Sequence, residues 1–250
     1  MTGTHRPRLG IIGGSSFLDE QNLPAESLQR IATPWGDVDV RVASDWVFLR
    51  RHGESGYRPP HRIPHHAHVV ALQSLGVGAV AGFASTGSLQ PTLQPGDIVV
   101  PDDYISWHPP PTFAGDEYLH IVPALAQDVR ALLLDAAHAA AASPAIRGMR
   151  TPSVRDGGVY VQTHGPRFET PAEVRLLAQH ADLVGMTAAS EATLCQERGM
   201  AYAFLCVVDN AAHGIGQVPL TLEAFQEQLA RNALLARTIL AELIRLWKSS

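Results

Sequence analysis

Apolar positions along this chain recur with two periods, one suited to strands and one to helices. Residues 8–13, RLGIIG, form an apolar run ending in glycine, the pattern of a buried strand. Residues 38–50 alternate, which predicts a strand pair around a turn at 43–45. Helical spacing follows at 65–75, where Ala67, Val70, Ala71 and Leu75 share a face. GAVAGFAS at 78–85 is a short apolar run between glycines and predicts a central strand. A helix is predicted over 122–142, with Pro123 near its start, where a missing N–H costs little. Strands at 158–163 and 183–187 flank a helix at 171–180, and YAFLCVVD at 202–209 reads as another buried strand. A long helix spans 221–247. Thr221 can cap it, but the position three residues on is Ala224, with Glu223 one short, so the capping box is partial. Strands alternating with helices predict an α/β fold, a single domain over 1–250 with a central mixed β-sheet flanked by helices.

Composition narrows the function. A net charge of −5 with few basic clusters argues against nucleic acid as a partner. With 46% hydrophobic and 17% charged residues, the chain has the make-up of an ordinary globular enzyme. No apolar run approaches the roughly 20 residues that span a bilayer, so no membrane partner is expected. The start, MTGTHRPR, lacks an apolar signal segment, and Cys195 and Cys206 lack metal-type spacing. Both features predict a reduced, cytoplasmic protein.

Several short motifs carry candidate chemistry. GIIGGSS follows the first strand, and its glycines let backbone approach an anion while Ser15 and Ser16 add hydroxyls. It lacks the third glycine of a dinucleotide fingerprint and the Gly-Lys-Ser/Thr of a Walker loop, so an anion site and a plain strand–turn both remain open. RRHG at 50–53 sets Arg51 and His52 at a strand end, either to fork a phosphate or as a solvated terminus. ASTGSLQP at 84–91 follows the central strand, where open α/β sheets bind ligands; a tightly packed loop would also need its small residues. Asp209 ends a strand beside apolar sequence, as an acid–base group or as a cap for the next turn. His61, His65, His66 and His68 cluster, but Pro64 breaks a shared helix face and no Cys, Asp or Glu completes a ligand set, so no metal site is expected. WHPPPTFAG at 107–115 predicts a loop near a site or interface.

Taken in order, GIIGGSS, RHG, ALQSLGV, STGSLQPTLQPGDIVVPDDYI, GPRFETPAE, VGMT and SEATLCQERGMAYAFLCVVD resemble the trimeric purine nucleoside phosphorylase family, in its methylthioadenosine/methylthioinosine branch. The resemblance covers nearly the whole chain and implies a phosphorylase/hydrolase-like fold. It implies phosphorolysis of an N-glycosidic bond, with inorganic phosphate as co-substrate and no metal or organic cofactor. Phosphate attacks the anomeric carbon as the purine leaves, so the site must hold phosphate and stabilise a purine anion. By resemblance, Ser15, Arg51, His52, Ser85 and Thr187 hold phosphate. Met186 packs under the ribose and Phe168 stacks on the base. Glu169 and Asp209 address the purine edge as catalytic groups, with Asn210 and Ala211 beside them. Val218, Leu220 and Leu222 line the pocket for the 5′ substituent.

Base choice divides the same residues. An ionised Glu169 accepts a hydrogen bond from the protonated ring nitrogen of hypoxanthine or guanine. Asp209 stands where 6-oxopurine enzymes carry Asn and adenine enzymes carry Asp, and a one-residue shift puts Asn210 in the reading position. Glu169 and the pair Ala211–Ala212 favour a 6-oxopurine, with S-methyl-5′-thioinosine as the expected nucleoside. The alternatives are a 5′-methylthioadenosine phosphorylase releasing adenine, a nucleoside hydrolase, and a nucleoside-binding homologue weakened in catalysis. The family's PHxVNYRAN is replaced by PHRIPHHAH, the second His after RHG is Gly56, and Ser15–Ser16 replace Thr-Gly. The resemblance also implies a homotrimer in which a neighbour completes each site, and the loop at 107–115 is the expected contact.

Overall fold

The computed structural model describes residues 7–18, 26–216 and 220–249. The apolar run RLGIIG forms β1 (Arg8–Gly13), where Leu9 and Ile11 enter one core and Ile12 enters another. A strand buried on both faces needs no alternation, which is why it reads as continuous apolar sequence. An exposed edge strand, β2 (Ser27–Ile31), precedes β3 (Val38–Val42) and β4 (Trp46–Arg50). Then follow α1 (His65–Ser74) and the long β5 (Val77–Ser88). Two short strands, β6 (Ile98–Val100) and β7 (Asp103–Ser106), lead to α2 (Gln127–Ala141). The second half runs β8 (Val154–Asp156), β9 (Val159–Gln162), α3 (Pro171–Leu177), β10 (Leu183–Gly185) and α4 (Ala188–Glu197). It closes with β11 (Ala201–Ala211) and α5 (Leu222–Ser249).

The strands join in one mixed sheet ordered β2-β3-β4-β1-β5-β10-β9-β7, with β11, β6 and β8 branching from β5. The expected fold, a central mixed sheet flanked by helices, is the one present. β5 pairs parallel to β1 along its first half, antiparallel to β10 at its end, and parallel to β11 along nearly its whole length. Helices α1 and α4 supply the core on one face, and α2 and α5 supply the core on the other. A fully buried Leu, Ile or Phe contributes about 1.5–3 kcal/mol, so these two layers hold the sheet rigid beneath the loops at its ends.

The predicted bounds shift where local bonding overrides pattern. Helix 122–142 begins only at Gln127, because the Ala126 N–H donates to the Tyr202 carbonyl at 2.8 Å and keeps the preceding backbone extended. Pro123 therefore lies outside the helix. Strand 183–187 ends at Gly185, because Thr187 already serves as the N-cap of α4. Thr221 does cap α5, accepting from the Ala224 N–H at 3.1 Å.

One irregularity bears on chemistry. Val208 pairs with Thr86 and Asn210 with Gly87, so Asp209 is the extra residue of a β-bulge. A bulge re-aims the side chains on either side of it.

Candidate active site

The C-terminal ends of the parallel strands β1, β4, β5 and β11 converge on one cleft of about 180 Å³. This is where ligands bind in open α/β sheets. Its polar end carries Ser15, Arg51, His52, Ser85 and Thr187. Its other end carries Phe168, Glu169, Met186, Asn210, Leu220 and Leu222.

Arg51 is 1% exposed, and its guanidinium is fixed by three bonds. Nε and Nη2 donate to the two oxygens of Glu191 at 2.5 and 2.9 Å, and Nη1 donates to the Phe83 carbonyl at 2.6 Å. Burial, the largest influence, opposes its charge, but Glu191 outweighs burial and its pKa is raised. A guanidinium carries five N–H groups, so two remain for a ligand. The backbone of Gly14 makes room for this: a Cβ there would lie 2.5 Å from Arg51 Nη1 and 2.6 Å from the Phe83 oxygen.

His52 Nδ1 donates to the Arg58 carbonyl at 2.8 Å, which leaves Nε2 with its lone pair to accept from the Ser15 hydroxyl at 3.3 Å. Burial first, then the neighbouring Arg51 charge, lower its pKa to about 4 against the opposing Arg58 bond. The ring is therefore neutral near pH 7. Thr187 is buried and makes no side-chain bond to the helix it caps, so its hydroxyl is not spent on α4. The backbone N–H groups of Thr187 and Ala188 donate instead to the Tyr160 hydroxyl at 3.2 and 3.3 Å. Ser85 Oγ lies 3.4 Å from Ser16 Oγ. Neutral hydroxyls and a cation suit an oxyanion, while the lone pair of His52 Nε2 suits a protonated oxygen of the same anion.

The other end is set by the loop before α3. Thr170 accepts from the Glu173 N–H at 3.2 Å and its own N–H donates back to Glu173 at 2.7 Å, a closed capping box. Arg167 grips both Glu173 oxygens at 2.8 Å and, as the leading cause, lowers that carboxyl's pKa to about 2. This anchors Phe168 and Glu169 immediately upstream. Glu169 is 6% exposed and accepts from the Thr163 hydroxyl at 2.5 Å. Phe168 meets Phe225 edge-on at 5.6 Å.

Two expected residues stand elsewhere. The bulge turns Asp209 out of the cleft wall: it is 1% exposed and accepts from Asn232 of α5 at 2.7 Å. Burial raises its pKa to about 7, against smaller opposing effects of Asn232 and Ser85. Asn210 lines the cleft in its place, and Ala212 rather than Ala211 does so beside it. Val218 lies outside the described residues. A larger cavity of about 270 Å³ adjoins the cleft and shares Glu169 with it. Trp107 and His108, at the start of the Pro-rich loop, line that cavity. Among the described residues, no group of three or more His, Cys, Asp or Glu could hold a metal ion, and no helix is long and apolar enough to cross a membrane.

The family model described as the Phosphorylase superfamily matches residues 8–245. The chain belongs to the phosphorylase superfamily. It is 36% identical to a probable 6-oxopurine nucleoside phosphorylase of Archaeoglobus fulgidus, over 95% of this chain and 96% of that one. It is 36% identical to a probable S-methyl-5′-thioinosine phosphorylase of Methanopyrus kandleri, over 86% and 83% of the two chains. The methylthioadenosine phosphorylase of Schistosoma mansoni, solved in complex with adenine, superposes with a TM-score of 0.82 at 26% identity, over 98% of this chain and 93% of that chain. Motif reading of this phosphorylase misses Glu191 and Tyr202, although both are buried at its phosphate-type end. The available signal was a lone carboxylate within the small and apolar run AASEATLC.

Proposed function

We propose that this phosphorylase cleaves a 6-oxopurine nucleoside, S-methyl-5′-thioinosine first among them, to hypoxanthine and a methylthioribose 1-phosphate. The observation that carries the reading is the cleft itself, with oxyanion donors at one end and Phe168, Glu169 and Asn210 at the other. Phosphate bound by Arg51, Ser15, Ser85, Thr187 and His52 attacks the anomeric carbon. The bond to the purine breaks, and its electron pair moves onto the base. Glu169 accepts from the N–H of the 6-oxopurine ring, while the Asn210 amide can both donate and accept at the base edge. A carboxylate in that position suits a 6-amino group, so the bulge that substitutes Asn210 for Asp209 favours hypoxanthine. Met186 packs under the ribose. Leu220, Leu222 and Phe225 give the cleft an apolar margin that suits a methylthio group better than a hydroxyl.

Inorganic phosphate is the co-substrate, and no metal or organic cofactor takes part. The enzyme acts in the cytoplasm as a homotrimer, with the loop at 107–115 beside the shared cavity as the contact between copies. Loss of activity on dilution, without unfolding, tests the trimer. One observation favours a second reading, methylthioadenosine as substrate: the methylthioadenosine phosphorylase of Schistosoma mansoni shares this fold over 98% of the chain. Initial rates on methylthioinosine, methylthioadenosine and inosine separate the two. Faster release of hypoxanthine supports the first reading, and faster release of adenine the second.

A further inference from the structure

We infer that Glu191 is the positioning residue for phosphate, acting through Arg51, and that Tyr202 holds Glu191 in place. The inference deepens the phosphorolysis reading and rests on it. Glu191 is fully buried on α4 and lies off the cleft wall, so it touches no ligand itself. Both of its oxygens are committed. Oε1 takes Arg51 Nε, and Oε2 takes Arg51 Nη2 together with the Tyr202 hydroxyl at 2.8 Å.

This side-on grip fixes the plane of the guanidinium. Without a carboxylate there, a buried cation 1% exposed would have neither water nor a counter-charge, and it would be free to turn toward any other acceptor. With it, the N–H groups not bonded to Glu191 or Phe83 are held at the cleft. The effect belongs to phosphate alone, because Phe168, Glu169 and Asn210 make no bond to this cluster.

Tyr202 reaches Glu191 across β5 only because residue 82 is glycine. A Cβ on Gly82 would lie 2.5 Å from the Tyr202 hydroxyl. His65 completes the cluster, its Nδ1 3.9 Å from Glu191 Oε1 and without a hydrogen-bond partner. Burial lowers its pKa to about 4, so near neutral pH it brings no second positive charge to compete with Arg51 for Glu191.

The test compares wild type with Glu191→Gln, Glu191→Asp and Tyr202→Phe. Phosphate affinity is read twice: as KM in turnover, and by calorimetry with inorganic phosphate and no nucleoside. Glu191→Gln is expected to weaken phosphate about tenfold or more in both measurements, with the nucleoside KM little changed. Glu191→Asp should recover part of the loss, because the charge is kept. Tyr202→Phe, which leaves the ion pair intact and guards against a Gln variant that fails to fold, should weaken phosphate less than Glu191→Gln does. In an Arg51→Lys background, Glu191→Gln should add little further loss.

Unchanged phosphate binding in a folded Glu191→Gln or Tyr202→Phe protein would overturn the inference. So would a parallel rise in both KM values, or additive losses with Arg51→Lys. Base release by wild type without phosphate would overturn the reaction instead, while the calorimetry would still decide the role of Glu191.

Discussion

Replacing Gly14 by Ala isolates the close approach on which the phosphate end depends. Gly14 has φ −81° and ψ −155°, extended backbone that Ala adopts freely, so only space opposes the change. The new methyl would stand 2.5 Å from Arg51 Nη1 and 2.6 Å from the Phe83 oxygen, the two atoms that bond each other at 2.6 Å. β5 is central and yields little, so the backbone at residue 14 must retreat from the Phe83 oxygen, the guanidinium must move, and that bond must lengthen. A hydrogen bond to a charged group contributes about 1.5–3 kcal/mol. Loss of one such bond between the displaced guanidinium and phosphate corresponds to a rise in phosphate KM of about tenfold to about a hundredfold. Overpacking of this kind costs about 1–3 kcal/mol of stability, tolerable for a domain of this size. The assay is initial rate against phosphate at saturating nucleoside, with unfolding followed in parallel. A folded Gly14→Ala enzyme with the wild-type phosphate KM would refute the idea that Arg51 is held in place by that gap.

Further outcomes follow from the other end of the cleft. Glu169→Gln loses the carboxylate acceptor, so kcat/KM for methylthioinosine should fall by about ten- to a hundredfold, with a smaller loss for methylthioadenosine; equal losses would count against Glu169 as the base reader. Thr170→Ala opens the capping box at a cost of about 1 kcal/mol, or about 2–4 °C in melting temperature for a chain this long, and an unchanged melting temperature would refute the anchoring role of that cap. Asp209 has a folded pKa raised from 3.8 to about 7, so protonation favours the fold, and its contribution is full below about pH 4 and lost as pH rises to about 7. Asp209→Asn abolishes this titration. Its stability relative to wild type should climb between pH 5 and 7 by at most about 1.4 kcal/mol per pH unit, and a flat difference in denaturant melts would contradict the burial of that carboxyl.

Much of the site was legible because its residues fall at the ends of apolar runs. Arg51 and His52 directly follow the apolar strand β4, Ser85 ends the apolar run of β5 three residues before the strand itself ends, and Phe168 and Glu169 precede a Pro-headed helix. Three features escaped for identifiable reasons. The bulge at Asp209 is a register slip between β11 and β5, a property of two strands about 120 residues apart that no local pattern encodes. Glu191 lies 140 residues from Arg51, and its role exists only once α4 packs against β11 and α1 and brings the two side chains together. The short strands β6, β7 and β8 carry three or four residues each, too few for a period to register, and are held by their neighbours rather than by their own sequence. The start of α2 failed for the opposite reason: the helical pattern at 122–126 was present, but a backbone bond to Tyr202 claimed those residues first.

Phosphorolysis stands or falls on the identity of the sugar product. Purified enzyme is incubated with methylthioinosine and phosphate, and the products are followed by phosphorus NMR alongside base release. One equivalent of a pentose 1-phosphate is expected for each hypoxanthine freed, with no base release when phosphate is withheld. Free methylthioribose in place of the 1-phosphate would mean that water is the nucleophile, and would contradict phosphate binding by Arg51, His52 and the hydroxyls around them.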